Sequence, residues 1–110
     1  TTYGGNPLAC AAVSTVFDLF EKMNILEHVN EVSNYLEEQL DKLVEQYDNV
    51  VARRGKGLMQ GLVLTTPVID TVNKAIEKGL LVSDVLRMVP PLVITKENVD
   101  EMIEILSQCL

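Results

Sequence analysis

Two places in this sequence hold side chains suited to gripping an anion. At the amino-terminal end, Thr1 and Thr2 are followed at once by Tyr3-Gly4-Gly5. Adjacent hydroxyls beside paired glycines offer O–H and backbone N–H donors without any charge of their own, which suits a small anion. A flexible terminus ahead of a helix cap explains the same residues equally well. The second place is Arg87, set between Leu86 and Met88 in a stretch with strand character. An arginine in apolar company must reach solvent or find an anion, and its planar fork matches a carboxylate through two parallel hydrogen bonds. An edge-strand arginine facing water is the plainer alternative.

Other chemistries find no residues to carry them. No Ser-His-Asp set, carboxylate pair or metal-ligand spacing occurs, so the chain offers no self-contained catalytic or metal site. His28 lies early in a helix with neither Cys nor a second His near it, and reads as an ordinary polar side chain. Gly55-Lys56-Gly57 invites comparison with phosphate loops and fails it. A dinucleotide fingerprint needs Gly where Gln60 stands, and a Walker loop needs Gly where Val50 stands. A net charge of −7, from 16 acids against 9 bases, repels a phosphate backbone and argues against a nucleic-acid partner.

The elements that would position these residues can be traced by periodicity. Asn6-Pro7 reads as N-cap and first helical residue, because the Asn side chain can accept from an orphan amide of the first turn, and proline loses nothing at a position whose N–H would be unpaired anyway. The helix that follows carries Leu8, Ala9, Ala12, Val13, Val16, Phe17 and Phe20, and no charge precedes Asp18. Such a helix is normally buried on most sides, so cover from a further domain or a second subunit is expected. The run is far short of the roughly 20 residues that cross a bilayer and lacks a basic flank, so neither a membrane helix nor a signal peptide is indicated. Cys10 and Cys109 lie near opposite ends and read as reduced thiols of a cytosolic protein, a disulfide between them being the alternative. The first residue is Thr rather than Met, which suggests a piece of something longer.

From Ile25 to Tyr47 the apolar positions Val29, Val32, Leu36, Leu40, Leu43 and Tyr47 step by three or four, as in an amphipathic helix laid on a sheet. A short coiled coil is the alternative, and Glu37, Glu38, Asp41, Lys42 and Glu45 form the expected solvated face, with Glu38 and Lys42 at supportive spacing. Val50 to Ala52 and Leu58 to Leu64 read as strands broken at Gly55-Lys56-Gly57. Thr66-Pro67 repeats the cap-and-proline signal for a third helix, ended by Gly79. Leu80 to Val82 and Val85 to Val89 read as short strands around a Ser83-Asp84 turn, stopped by Pro90-Pro91. Thr95 caps a last helix with Val99, Met102, Ile103, Leu106 and Leu110 on one side. This order predicts an α+β, two-layer domain with a small, largely antiparallel sheet.

The segments TTYGGNPLACAA, RGKGLMQG, KGLLV and LRMVPPLVIT, in this order, resemble the carboxy-terminal part of class III pyridoxal-phosphate-dependent aminotransferases over essentially all 110 residues. The resemblance implies the small domain of a fold-type I enzyme: residues 1–24 as an interface segment leading in from a large domain, and 25–110 as the domain proper. It implies that Thr2, with Thr1 beside it, hydrogen-bonds the cofactor phosphate held by the neighbouring subunit of a homodimer. It implies that Arg87 grips a substrate carboxylate. The activity implied is cytoplasmic transfer of an amino group between an amino acid of the N-acetylornithine type and 2-oxoglutarate, in arginine biosynthesis. Relatives usually carry several more residues ahead of the arginine strand, where this chain has only Ser83-Asp84-Val85. None of Lys22, Lys42, Lys56, Lys74, Lys78 or Lys96 matches the family's Schiff-base lysine motif, so these residues alone should hold no catalytic residue and be inactive. Two other readings remain at this point: a free-standing regulatory domain that senses a small acid through Arg87, and a structural adaptor that associates through Ile25 to Tyr47.

Overall fold

The computed structural model describes residues 1–83 and 86–110. Its elements are helices α1 (Pro7–Lys22) and α2 (Ile25–Gln46), strands β1 (Val50–Lys56) and β2 (Met59–Leu64), helix α3 (Val68–Glu77), strand β3 (Arg87–Met88) and helix α4 (Lys96–Ser107). The architecture is the expected α+β one: an antiparallel sheet in the order β1-β2-β3 with helices on one face.

The long amphipathic stripe decides how the layers meet. Val32, Leu36, Leu40 and Leu43 of α2 are buried against Val50, Leu58, Leu62 and Met88 of the sheet region, and Val72 of α3 with Val99, Met102 and Leu106 of α4 close the same core. Each such leucine contributes roughly 1.5–3 kcal/mol by leaving water. Because the domain's own sheet consumes the stripe, the coiled-coil and adaptor readings lose the surface they require. The charged face of α2 is only partly solvated. Lys42 bonds Gln39 rather than Glu38, and Asp41 and Glu37 turn toward Arg53 of β1.

Local chemistry sets the helix ends. The Asn6 side chain accepts from the Ala9 amide at 3.0 Å, and Pro7 follows as the first helical residue. Thr95 and Asn98 form a reciprocal capping box at α4. At the end of α3, the amides of Gly79 and Leu80 reach the carbonyls of Ile76 and Ala75 at 3.0 and 2.9 Å, with Gly79 at φ +87°, a left-handed cap that favours glycine. The start of α3 departs from expectation by one position. Pro67, not Thr66, occupies the cap, and no side chain closes it.

The sheet departs further. β1 continues through Gly55 and Lys56, and the break falls instead at Gly57-Leu58, a two-residue turn with Gly57 at φ +59°. A turn with glycine first suits the twist of a hairpin. Gly55 serves pairing rather than turning: at φ +147°, a Cβ there would stand 2.2 Å from the Met59 carbonyl oxygen of the facing strand. Leu80 to Val82 form no ladder, and the expected strand Val85 to Val89 is paired only at Arg87 and Met88. Asp84 and Val85, on which that turn and strand partly rested, lie outside the described residues. Leu86, fully buried, takes a left-handed φ of 47°, and its carbonyl accepts the Leu62 amide at 3.3 Å. Burial and this bond hold a conformation that a leucine otherwise avoids.

α1 stands apart from this core. None of its residues is buried; it packs chiefly on α2, and its Val16, Leu19 and Phe20 share a small hollow with Ile25, Leu92 and Val93. The radius of gyration is 16.8 Å, against about 13 Å for a compact domain of this length. Stability measurements should separate the two regions. Leu40→Ala should cost about 2–5 kcal/mol in chemical denaturation. Phe17→Ala should change it by less than about 0.5 kcal/mol.

The ion pair of Lys96 with Glu31, 2.6 Å apart, adds a pH signature. The hydrogen bond and charge of Lys96 lower the Glu31 carboxyl below its ordinary value, and the same contacts raise Lys96. The contribution of Glu31 is therefore present above its unfolded pKa and lost as pH falls through the lowered folded one; that of Lys96 is lost as pH rises through its raised value. A Glu31→Gln, Lys96→Met double-mutant cycle should show coupling at neutral pH that vanishes on acidification and shrinks in high salt.

Candidate functional site

The helices cover one sheet face, and the other carries the arginine singled out from sequence. β2 is the middle strand, and its Gly61 pairs with Arg54 of β1 on one side and Arg87 of β3 on the other. Directly opposed residues of antiparallel strands share a face, so Arg54 and Arg87 project on the same side with a bare glycine between them. The neighbours of Arg87 in sequence, Leu86 and Met88, are buried while Arg87 is exposed, which is how one arginine sits in an apolar stretch without a buried charge.

A hollow of about 560 Å³ opens on this face, lined by Arg54, Lys56 and Arg87 together with Gly55, Met59, Gly61 and flanking residues of β2. Its lining is almost entirely apolar, and the three cations border it through their hydrocarbon stems, with charged ends long enough to turn toward it. None of Arg54, Lys56 and Arg87 is in an ion pair or side-chain hydrogen bond with another described residue. In a chain of net charge −7, three cations without an ion-pair partner among the described residues border one hollow, a local charge opposite in sign to the molecule's own. The arrangement can bind a carboxylate or other small anion; it contains no nucleophile–base pair.

A polar network on the reverse side locks β2 in place. The buried Gln60 side chain donates to Glu37 Oε1 at 3.0 Å and to the Gly57 carbonyl at 2.6 Å, and accepts from Arg53 at 3.1 Å. Arg53 in turn holds Asp41 through two bonds, of 2.7 and 3.2 Å. The hydrogen bond to Asp41 raises the Arg53 pKa, outweighing the opposing effect of burial. Neither Arg54 nor this network was singled out by sequence reasoning. The signal available was alternation: counting outward from Leu62 and Gln60 puts Arg54 and Gly61 on the open face.

The amino-terminal residues lie elsewhere. Thr1 and Thr2 are exposed at a turn in which the Thr1 carbonyl accepts the Gly4 amide at 3.4 Å, and neither hydroxyl has a hydrogen-bond partner among the described residues. Neither threonine lines the hollow around Arg87, so these residues do not by themselves unite the expected phosphate and carboxylate contacts. α1 presents Leu8 at 82% and Phe17 at 68% exposure, and its Ala9, Cys10, Val13 and Ser14, with Gly5 of the preceding turn, line a shallow groove of small side chains. Cys10 is exposed and Cys109 buried, both free. His28 Nε2 lies 2.9 Å from the Ile94 carbonyl, a tie between α2 and the loop before α4. Among the described residues no cluster of His, Cys, Asp or Glu could hold a metal ion, and no helix is long and apolar enough to cross a membrane.

A fold of this kind, with a cation-rimmed hollow and an uncovered apolar lead-in helix, matches a known family throughout. The family model described as Aminotransferase class-III matches residues 1–110, and the chain belongs to that family. Among curated relatives it is similar to an acetylornithine aminotransferase of Aquifex aeolicus, 46% identical with 100% of this chain and 28% of that protein covered. It is also similar to one of Caldanaerobacter subterraneus subsp. tengcongensis, 44% identical, covering 100% of this chain and 29% of that protein. Among solved structures, an amine transaminase from an uncultivated Pseudomonas species in its PLP-bound form superposes with a TM-score of 0.92 at 31% identity, over 99% of this chain and 28% of that one. The acetylornithine aminotransferase of Elizabethkingia anophelis gives 0.89 at 29% identity, over 99% of this chain and 29% of its own. The chain thus spans under a third of the length of these proteins. Matches along its entire length support part of an aminotransferase and give no support to a free-standing regulatory domain.

Gln60→Leu tests the network under the site. It should destabilise by about 1–3 kcal/mol in denaturant unfolding, because the Gly57 carbonyl and Glu37 lose their donor.

Proposed function

We propose that these residues are the small carboxy-terminal domain of a homodimeric, cytoplasmic aminotransferase that moves an amino group between N-acetylornithine, or a related ω-amino acid, and 2-oxoglutarate in arginine biosynthesis. The observation that carries the proposal is the match of the whole chain to acetylornithine aminotransferases, joined to an outward Arg87 with no ion-pair partner among the described residues. Residues 1–24 then serve as an interface segment and 25–110 as the domain proper.

In this reading each feature has a task. Arg87 binds the carboxylate that amino-acid and 2-oxo-acid substrates share and fixes its orientation through two parallel bonds, a recognition that contributes roughly 1.5–3 kcal/mol. The hydroxyls of Thr2 and Thr1 fit the pyridoxal phosphate as uncharged donors: both are exposed, and both are free of partners among the described residues. They would hold the phosphate of the cofactor bound by the neighbouring subunit. When bound, the cofactor supplies the electron sink for amino-group transfer. The exposed α1 would be covered by the large domain and the dimer partner.

The lysines of this chain do not take part in the chemistry. Lys22, Lys42, Lys56, Lys74 and Lys78 are exposed, and Lys96 is raised by its pairing with Glu31. None of them matches the Schiff-base lysine motif of the family, so residues 1–110 alone should not transaminate.

In the complete enzyme, Arg87→Lys should raise the KM for 2-oxoglutarate about tenfold by replacing a fork with a point charge. Unchanged steady-state kinetics with both substrates would remove Arg87 from the site. Thr2→Val should weaken pyridoxal phosphate about three- to tenfold, measured as the dissociation constant of the cofactor. An unaltered constant would contradict the role of Thr2.

A further inference from the structure

Gly61 needs an explanation that the fold does not supply. It sits within β2, where a glycine weakens a strand by its backbone entropy and its missing side chain. Glycine elsewhere in the sheet has an evident cause. Gly55 has a left-handed φ and a hypothetical Cβ 2.2 Å from the Met59 carbonyl, and Gly57 turns the hairpin at φ +59°. Gly61 has neither. Its φ is not positive, and a Cβ built on it would lie 3.7 Å from the Leu86 carbonyl, 3.8 Å from the Arg54 carbonyl and 3.9 Å from the Arg87 Cα, all ordinary contacts. What the missing side chain does create is open space on the face where Arg54 and Arg87 flank the same position.

From this we infer that Gly61 is the seat of the substrate carboxylate and that Arg54 is a second guanidinium on it, opposite Arg87. The inference rests on the reading of Arg87 given above and extends it to a clamp of two cations across three strands. The geometry is suitable. Strands lie about 4.8 Å apart, so the Cα atoms of Arg54 and Arg87 are separated by roughly 10 Å, a gap that two long side chains can close over a group held between them. Glycine lets that group approach the sheet backbone closely, while Met59 supplies an apolar wall for the methylenes of an aliphatic acid. Two like charges bordering one hollow, with no ion-pair partner among the described residues, repel each other modestly, and an anion held between them relieves that repulsion. Arg53, the adjacent residue, is already committed to Asp41 and Glu37 on the other face, so of this arginine pair Arg54 alone is free to act.

The test uses the complete, cofactor-loaded enzyme and glutarate, a dicarboxylate with neither amino nor keto group, titrated calorimetrically. Arg54→Gln and Arg87→Gln should each weaken glutarate about tenfold or more, as expected for losing a hydrogen bond to a charged group. Gly61→Val should weaken it at least as much while leaving the thermal midpoint unchanged or higher, since valine favours a strand and a Cβ meets only ordinary contacts there. Wild-type glutarate affinity in Arg54→Gln overturns the clamp whatever Gly61→Val does, and should Gly61→Val fail to fold, Arg54→Gln decides. If only Arg87→Gln loses affinity, the reading of Arg87 stands and this inference falls. If none of the variants loses affinity, both fall.

Discussion

The stripe of Val32, Leu36, Leu40 and Leu43 along α2 is buried against the inner face of the sheet and against α4, and the arrangement of the rest of the domain follows from that contact. It assigns one face of a small antiparallel sheet to the core and leaves the other face to solvent, the usual economy of such sheets. Alternation then distributes side chains without further choice. Gln60, Leu62 and Met88 go inward with the helices, and Arg54, Gly61 and Arg87 go outward. The buried Gln60 network ties β2 to α2 at a point adjacent to Gly61, so the open face is backed by a rigid, fully bonded one.

The same principle, applied to α1, gives the opposite result. A helix carrying Leu8, Val13, Val16, Phe17 and Leu19 to the surface leaves a continuous apolar patch larger than scattered exposure explains. Its caps are sound and its residues favour helix, so local structure forms; tertiary cover is what it lacks. The exposed threonines and left-handed Gly5 lie at the head of this same helix. Donor groups and uncovered apolar surface therefore coincide, as at a joint between pieces of protein. Family membership along all 110 residues, set beside relatives more than three times as long, fits that joint.

Much of this was legible in the residues. Apolar spacing located α2 and α4, and Asn6-Pro7, Gly79 and Thr95 marked helix ends where the side chain itself makes or permits the capping bond. Legibility failed where geometry depends on a partner strand. Gly55 looked like a turn residue because sequence cannot show the Met59 carbonyl that forbids a side chain there. Leu80 to Val82 have strand-forming residues but join no ladder, and Thr66 lost its cap to a one-residue shift at Pro67. Of the site, Arg87 stood out through its apolar neighbours. Arg54 was hidden beside a second arginine, and only the register with Gly61 separates their tasks.

If α1 and the turn before it are surfaces completed by protein beyond these residues, as proposed above, Cys10 reports on that cover. The thiol lies exposed on the small-residue face of α1, while Cys109 is buried in the core and serves as an internal reference. Alkylation rates of both thiols should be compared in residues 1–110 and in the complete enzyme. Rapid modification of Cys10 in the former and strong protection in the latter, with Cys109 protected in both, is the predicted result. Equally fast modification of Cys10 in the two would contradict the account.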